Sequence, residues 1–439
     1  MLTKQKVVIA GGGFAGINLA LKLSNKTGFH VTLVDKNNYN FFPPLLYQVA
    51  TGFLEVSSIS YPFRKLFQKK KNISFRLGEL REVVPEKNKI LLSNGELFYD
   101  YLVIATGADV NYFGSENIRN NALPMKTIDD ALDIRNYILQ MLEEATIADN
   151  AAEKEKLSTI VIAGGGPTGV EIAGMLAEMR RHWMKKDYPE MTMENIDIYL
   201  ISGSAELLSP MSVSSQKDTF KALIKMGVKI KLNAHVKDFA NDLVMLDDGA
   251  IIKTKSLIWA AGVIPKVIAG MPAGSYGRGN RLLVDAFNKV KSSDNIFAIG
   301  DASLQTTDAK FATGLPQLAQ VAIQQGKNLA HNLLAHSKNK PWKPFAYFDK
   351  GTMAIIGINK AVLDIPKPKL HLKGFIAFIA WLFIHLVYLV NYRNRMKTFF
   401  TWIMAYLTRD QSLRMIIRPS VKVISKKKVT ATAALVALN

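Results

Sequence analysis

Two segments of this chain spell nearly the same ten residues, VVIAGGGFAG at 7–16 and IVIAGGGPTG at 160–169. Each sets three glycines in G-x-G-x-x-G spacing between an apolar run and a helix-like stretch: Gly11, Gly13 and Gly16, then Gly164, Gly166 and Gly169. The first glycine permits a tight strand-to-helix turn. The second lets a pyrophosphate approach the backbone, and the third lets helix and strand pack closely. The helix that follows offers unpaired N–H groups and a positive dipole end to the phosphates. One such motif says little. Two in register point to two dinucleotides, and a flavin with a nicotinamide is the simplest reason to hold both.

The surroundings of each motif fit that reading. A strand at 6–10, a helix at 13–23 and a strand at 30–34 form a βαβ unit ending in Asp35. That acid lies near the offset of about 20 residues at which a carboxylate accepts from a ribose hydroxyl. An apolar strand at 101–105 runs into Thr106-Gly107. Residues 127–156 read as helix. A strand at 159–163, a helix at 170–184 and a strand at 197–201 then repeat the unit, and 256–260 with Ala261-Gly262 parallels 101–107. After these two similar halves, NIFAIG at 295–300 leads to Asp301, and a long helix is expected from Gln317 to about 336.

At 439 residues the chain has room for two or three domains, and 49 % hydrophobic with 21 % charged residues is a globular composition. It contains no cysteine, which excludes disulfides, thiolate metal sites, Fe–S clusters and redox-active thiol pairs. Electrons must move through an organic cofactor, and no metal site is expected. The N-terminus leads directly into a strand and then glycines, so no signal peptide is expected and the protein should stay where it is made. The net charge of +20 calls for an anionic partner. Residues 360–439 carry 14 Lys or Arg against only Asp364 and Asp410. Within them, 374–390 is 17 residues with no charge and one histidine, His385, the bottom of the membrane-spanning range. A second apolar stretch, 399–407, follows Arg393, Arg395 and Lys397. Aromatic, cation-flanked helices of this kind suit a monotopic anchor on an anionic lipid surface, with a single span as the alternative. No nucleic-acid module is visible.

Taken together, the two fingerprints, Ala105-Thr106-Gly107 and Ile299-Gly300-Asp301 resemble the two-dinucleotide-binding flavoproteins. Within that group the chain is similar to the type II NADH:quinone oxidoreductases. That likeness lies in PLLYQVA at 44–50, in Ala319-Gln320 with Gln324-Gln325, and in the stretch from Gly374 through Trp381, His385 and Asn391 to Trp402. It runs to about residue 418, leaving the last twenty or so residues distinct. The resemblance implies an α/β fold of two Rossmann-like dinucleotide-binding domains, the second inserted in the first, plus a C-terminal amphipathic membrane-anchoring helical region. The expected divisions are 1–126 and 281–345 for an FAD-binding domain, 127–280 for an NAD(P)H-binding domain and 346–439 for the anchor.

The same resemblance assigns residues. FAD falls to Gly11, Gly13, Phe14, Ala15, Gly16, Asp35 and Lys36, with Gln48, Ala105, Thr106, Gly107, Gly300 and Asp301 beside it. Gln317, Leu318 and Ala319 would start a helix whose positive end faces the flavin, where charge develops on reduction. NAD(P)H falls to Gly164, Gly166, Pro167, Thr168, Gly169, Glu171, Ser202, Ala261 and Gly262. Glu171 would close the nicotinamide site and help proton delivery. Gln320 and Gln324, four residues apart on one helix face, would hydrogen-bond a quinone. The implied activity is hydride transfer from NADH or NADPH to FAD, then two electrons to a quinone, in respiratory electron transport without proton pumping. It would take place at the cytoplasmic face of the cell membrane, and a homodimer is compatible with it.

One position departs from the family. The strand at 197–201 should be followed by an acid for the adenine ribose of NADH, but Ser202 stands there. A carboxylate repels a 2′-phosphate and a serine does not, so NADPH stays open as a donor, although no arginine stands nearby in sequence. Two rival readings remain. One is a reductase with a soluble acceptor, and the other a redox-sensing flavoprotein with slow turnover. Sulfide oxidation is excluded by the missing cysteines.

Overall fold

The computed structural model describes residues 4–191, 196–291, 293–408 and 413–417; Asp410 and the distinct C-terminal stretch lie outside them. The chain forms two compact units. One comprises Met1–Phe41, Ser60–Val110 and Val263–Lys350; the other comprises Phe42–Ile59, Asn111–Gly262 and Gly351–Asn439. The chain therefore divides at 110/111 and 262/263 rather than at 126/127 and 280/281. The described residues from 351 onward share a unit with the second fingerprint instead of standing alone.

In the first unit Gln5–Ala10 is the centre of a five-stranded parallel sheet. The order is Ile296–Ala298, Tyr101–Ile104, Gln5–Ala10, Phe29–Asp35, Ile73–Leu77. Val7 pairs with Val31 on one side and with Tyr101 on the other. These strands are near-continuous apolar runs because both sheet faces are covered. One cover is the fingerprint helix Phe14–Leu23 with the helix Ala319–His336 against it. A side chain at Gly326 would lie 2.4 Å from the Ala15 carbonyl oxygen, so the two helices meet backbone to backbone. The opposite side carries an antiparallel sheet, Leu80–Val84, Lys89–Leu92 and Gly95–Phe98, over a core that includes Val83, Ile90, Leu102 and Leu282.

The second unit repeats this plan. Its parallel sheet runs Leu123–Pro124, Ser256–Trp259, Ile160–Ala163, Ile198–Ile201, Lys229–Lys231, and an antiparallel sheet of Val236–Ala240, Leu243–Leu246 and Ile251–Lys253 stands where the first unit has its own. The expected helix at 127–156 is two helices, Ile128–Thr146 and Ala151–Ser158, each with its own side-chain cap from Thr127 or Asn150. The fingerprint helix is Pro167–Met179, with 180–184 continuing as a π-helical turn.

Three antiparallel strands, Thr352–Gly357, Lys360–Ile365 and Leu370–Lys373, pack on that helix; the sequence reading did not foresee them. Two helices follow, Gly374–Tyr388 and Tyr392–Thr408. The second starts seven residues earlier than its apolar pattern, taking in Arg393, Arg395 and Lys397. It docks on residues 55–59: Lys397 bonds Glu55 and Ser57, and Thr398 Oγ1 donates to the Ser58 carbonyl at 3.3 Å.

The docking of the C-terminal strands depends on Gly174, where a Cβ would stand 1.8 Å from the Ile356 carbonyl oxygen. Gly174→Ala gains about 1 kcal/mol of helix propensity but overpacks a backbone contact, which costs about 1–3 kcal/mol. The variant should unfold at a lower temperature than the natural chain; an equal or higher Tm would remove this account of the docking.

Candidate functional site

The first fingerprint folds into a cradle whose shape follows from backbone contacts. Gly11 has φ of 112°, and a Cβ there would sit 2.2 Å from the Ala105 carbonyl oxygen. A Cβ at Gly16 would sit 1.9 Å from the Gly11 oxygen. Gly11 N–H donates to the Val34 carbonyl and Ala105 N–H to the Ala10 carbonyl, both at 2.8 Å. Asp35 closes the turn: its Oδ2 accepts from Gly12 N–H and its Oδ1 from Asn37 N–H, each at 2.7 Å. Burial pushes its carboxyl above the usual carboxylate range, against the pull of those two N–H groups and of Lys36. Above Gly13 and Gly107 there is open space, with nothing within 4 Å of a Cβ, and Phe14 and Ala15 begin a helix that no side chain caps.

Gly300 and Asp301 lie in a short 3₁₀ turn, Gly300–Ala302, at the end of strand Ile296–Ala298. A residue not assigned from sequence holds this turn. Gln325 is fully buried, and its Oε1 accepts from Gly300 N–H at 2.7 Å. It occupies the apolar face of its helix among Val321, Ala322 and Leu329, and a polar residue at that spacing was the available signal. The helix begins at Ala319, not Gln317: Leu318 is its uncapped N-terminal residue, and Gln317 Nε2 reaches back to the Asp301 carbonyl at 3.2 Å. Gln320 and Gln324 do share a face. Their amides hold the backbone of 348–350: Gln324 both donates to and accepts from Phe348, at 2.8 and 3.0 Å, and Gln320 Oε1 accepts from Lys350 N–H at 3.1 Å.

The second cradle repeats the glycine-to-carbonyl contacts of the first. Gly164 has φ of 122° and abuts the Ala260 carbonyl oxygen at 2.4 Å, while Gly169 abuts the Gly164 oxygen at 1.8 Å, both measured from a Cβ position. Gly166 faces open space, Pro167 and Thr168 are exposed, and the helix they begin is uncapped. Ala261 and Gly262 follow the strand that supplies Ala260, and the Phe113 ring lies 3.1 Å from a Cβ at Gly262. Ser202 takes the place of Asp35. It is 3 % exposed, its Oγ accepts from Ser204 N–H at 3.3 Å, and its side chain lies where a Cβ at Gly165 would stand.

Glu171 is not a surface residue. It is buried in the first turns of the Pro167–Met179 helix, and burial holds its carboxyl well above the usual range despite a hydrogen bond from Ile355 N–H. Tyr47 lies near enough that burial and the Glu171 charge together push its phenol well up. Gln48 is engaged within the second unit: its Nε2 donates to Tyr47 Oη at 2.9 Å, and its Oε1 accepts from Trp402 Nε1 at 2.8 Å.

Two glycine cradles, each with an open floor and an uncapped helix, define a two-dinucleotide oxidoreductase. Comparison with known proteins agrees. Residues 5–326 match the family model described as pyridine nucleotide-disulphide oxidoreductase, and residues 350–411 match the NDH2 C-terminal domain. The chain is 35 % identical over 424 residues to the type II NADH:quinone oxidoreductase NdhA of Mycobacterium tuberculosis, covering 92 % of this chain and 88 % of that one. Ndh of the same organism is 32 % identical over 420 residues, covering 92 % and 89 %. The fold superposes on NDH2 of Plasmodium falciparum, solved with NADH, at a TM-score of 0.86 and 23 % identity, covering 95 % and 100 %. On the sulfide:quinone oxidoreductase of Aquifex aeolicus the TM-score is 0.68, at 21 % identity. The chain belongs to the type II NADH:quinone oxidoreductases.

The buried acid yields a pH test. Because the folded-state pKa of Glu171 lies above 4.5, its stability contribution is complete below the unfolded value and is lost as pH rises through the folded one. Glu171→Gln keeps the shape without the titration. Its Tm relative to the natural chain should rise steadily as pH increases from about 4.5; a difference that stays flat with pH would refute the desolvated acid.

Proposed function

We propose that this chain is a peripheral membrane enzyme that oxidises NADH and reduces a quinone through FAD. The carrying observation is the pair of matched cradles in a chain that belongs to this family and has no cysteine. FAD, when bound, supplies the two-electron chemistry, accepting hydride from NADH and returning two electrons to a quinone without proton pumping.

The residues of the first cradle suit FAD. The uncapped N–H groups after Gly13 meet a pyrophosphate over an open glycine floor, and Asp35 is an acceptor for ribose hydroxyls. Lys36 adds positive charge at the rim, and Ala105, Thr106 and Gly107 border the open side. Gly300, fixed by Gln325, sets Asp301 for a polyol chain. The uncapped start of the Ala319–His336 helix, behind Gln317 and Leu318, offers a positive dipole end to developing charge. In the second cradle Gly166 and Thr168 take the nicotinamide dinucleotide's pyrophosphate, with Ala261 and Gly262 at its border. Glu171, whose carboxyl burial raises above the usual range, acts as a proton donor near the nicotinamide. Gln320 and Gln324 act on the quinone: each side-chain amide carries an N–H donor that a quinone carbonyl can recruit.

Attachment to an anionic lipid surface is supported by the two C-terminal helices. Phe375, Ile376, Phe383, Phe400, Met404 and Leu407 are each more than half exposed, an apolar face far beyond scattered surface residues. Among the described residues no helix is long and apolar enough to cross a membrane. Such helices lie in the interface, with Lys and Arg reaching the headgroups, and the enzyme works from the cytoplasmic face. This exposed face favours a lipid-soluble acceptor over a soluble one.

Steady-state oxidation of NADH by the purified full chain with a short-chain quinone tests the reading. Fast quinone-dependent turnover is expected, and a flavin that NADH reduces but quinone does not reoxidise would overturn it. Donor choice is read at Ser202. Ser202→Glu places a carboxylate where the first cradle has Asp35, and it should raise the NADH-to-NADPH ratio of kcat/KM by about tenfold or more, roughly 1.4 kcal/mol of like-charge discrimination. An unchanged ratio would exclude Ser202 from the ribose site.

A further inference from the structure

Hydrogen bonds place the residue of the second cradle that corresponds to Asp35 in the first. In the first, Gly11 N–H donates to the Val34 carbonyl at 2.8 Å, and the Asp35 carbonyl next in line accepts from Gly78 N–H at 2.9 Å. In the second, Gly164 N–H donates to the Ile201 carbonyl at 2.8 Å, and the Ser202 carbonyl accepts from Ala234 N–H at 3.0 Å. Ser202 thus occupies the Asp35 position, and the chain just past Ala234 borders it. A carboxylate in that position accepts from a ribose 2′-hydroxyl and repels a 2′-phosphate. Ser202, Gly203 and Ser204 bring hydroxyl and N–H groups there, and no negative charge.

No arginine stands near Ser202 in sequence, but the fold brings a basic side chain to it. His235 follows Ala234 and precedes the strand Val236–Ala240. Its ring stands over Gly203, where a Cβ would lie 2.1 Å from Nε2. Asp247 holds the ring from the other edge: Oδ2 accepts from Nδ1 and Oδ1 accepts from the His235 N–H, both at 2.9 Å. The neighbouring Asp248 is taken by Lys231 at 2.6 Å. The His235 side chain is 70 % exposed, so a ligand can reach it. With Nδ1–H given to Asp247, the second proton of an imidazolium is carried on Nε2, the edge over Gly203.

On the reading of this cradle as the nicotinamide site, we propose that it accepts NADPH as well as NADH, and that His235 receives the 2′-phosphate, with Nε2–H donating to a phosphate oxygen. Aspartate, histidine and phosphate in line make a charge-assisted arrangement, and the missing side chain at Gly203 leaves the ring its place. NADH carries a hydroxyl at that position and has no need of the charge. The two donors therefore part at His235, while Ser202 lets both approach.

Binding probes read this site without turnover. Titration calorimetry of the full chain should find adenosine 2′,5′-bisphosphate held tighter than AMP by about tenfold, the scale of one charge-assisted hydrogen bond. His235→Gln keeps a polar side chain of similar reach without the charge, and it should bring the two Kd values together. Gly203→Ala leaves His235 in the chain but crowds its ring, and it should weaken the preference in the same way. With a short-chain quinone, His235→Gln should lose about tenfold in kcat/KM for NADPH and less than about twofold for NADH. Equal Kd values in the natural chain, a preference that survives His235→Gln, or an equal loss with both donors would each overturn the proposal. If His235→Gln fails to fold, a preference that survives Gly203→Ala overturns it instead. A chain that prefers the bisphosphate through His235 yet reduces no quinone would sink the quinone reading and leave this site standing.

Discussion

Much of this structure depends on one steric constraint, met twice. At Gly11 and at Gly164 the chain turns from strand to helix directly against the carbonyl group of a neighbouring strand, at Ala105 and at Ala260. No side chain fits between them. The third glycine of each motif then presses on the oxygen of the first, and so sets where the helix starts relative to the strand. With the helix start fixed, no side chain caps it, and open space lies above Gly13 and Gly166. Elsewhere Ser115, Thr127, Asn150 and Ser212 each cap a helix with their own side chain. A helix start without a side-chain cap is the kind of place where a phosphate oxygen can be accommodated.

Burial then assigns chemistry to the acids around these turns. Asp35 and Glu171 are both raised by desolvation, but their surroundings differ. Asp35 has two backbone N–H donors and Lys36 to moderate the effect, which suits an acceptor that must remain polar. Glu171 has one backbone donor and lies wholly inside, so less opposes its desolvation. His385, nearly enclosed in the Gly374–Tyr388 helix, is driven the other way: burial lowers its imidazole to about 4. It stacks on Trp381 at 3.8 Å as a neutral ring, consistent with an apolar segment that carries no charge.

The repeated halves, the two cradles and the amphipathic C-terminal pair were legible because each rests on local pattern. Spacing fixes the glycine turns, and apolar runs mark the buried strands. What escaped the sequence depends on distant partners. The strands at 352–373 are short and mixed in polarity, and their position is decided by the absent side chain at Gly174 on another element. Gln325 reads as one more amide beside Gln324, yet the two point to different places: Gln325 inward to Gly300, Gln324 outward to Phe348. The burial of Glu171 is not fixed by its place in the helix, because a first-turn acid is favourable on the surface too. The helix from 317 began two residues late because Gln317 is drawn to the Asp301 carbonyl. In each case a tertiary contact decided between local options of similar energy.

The Gln48 amide, held between Tyr47 and Trp402, divides the last helix into two surfaces with different histories. On its inner side, Thr398 and Trp402 are committed to Ser58 and Gln48, and Trp402 meets the fully buried Trp381. Its outer side, with Phe400, Ile403, Met404 and Leu407, makes no such specific demands. The outer residues are free to drift among apolar side chains, while the inner ones can change only together with their partners. A family with this architecture should therefore show its last helix as a strip of fixed positions beside a strip of variable ones, repeating every three to four residues.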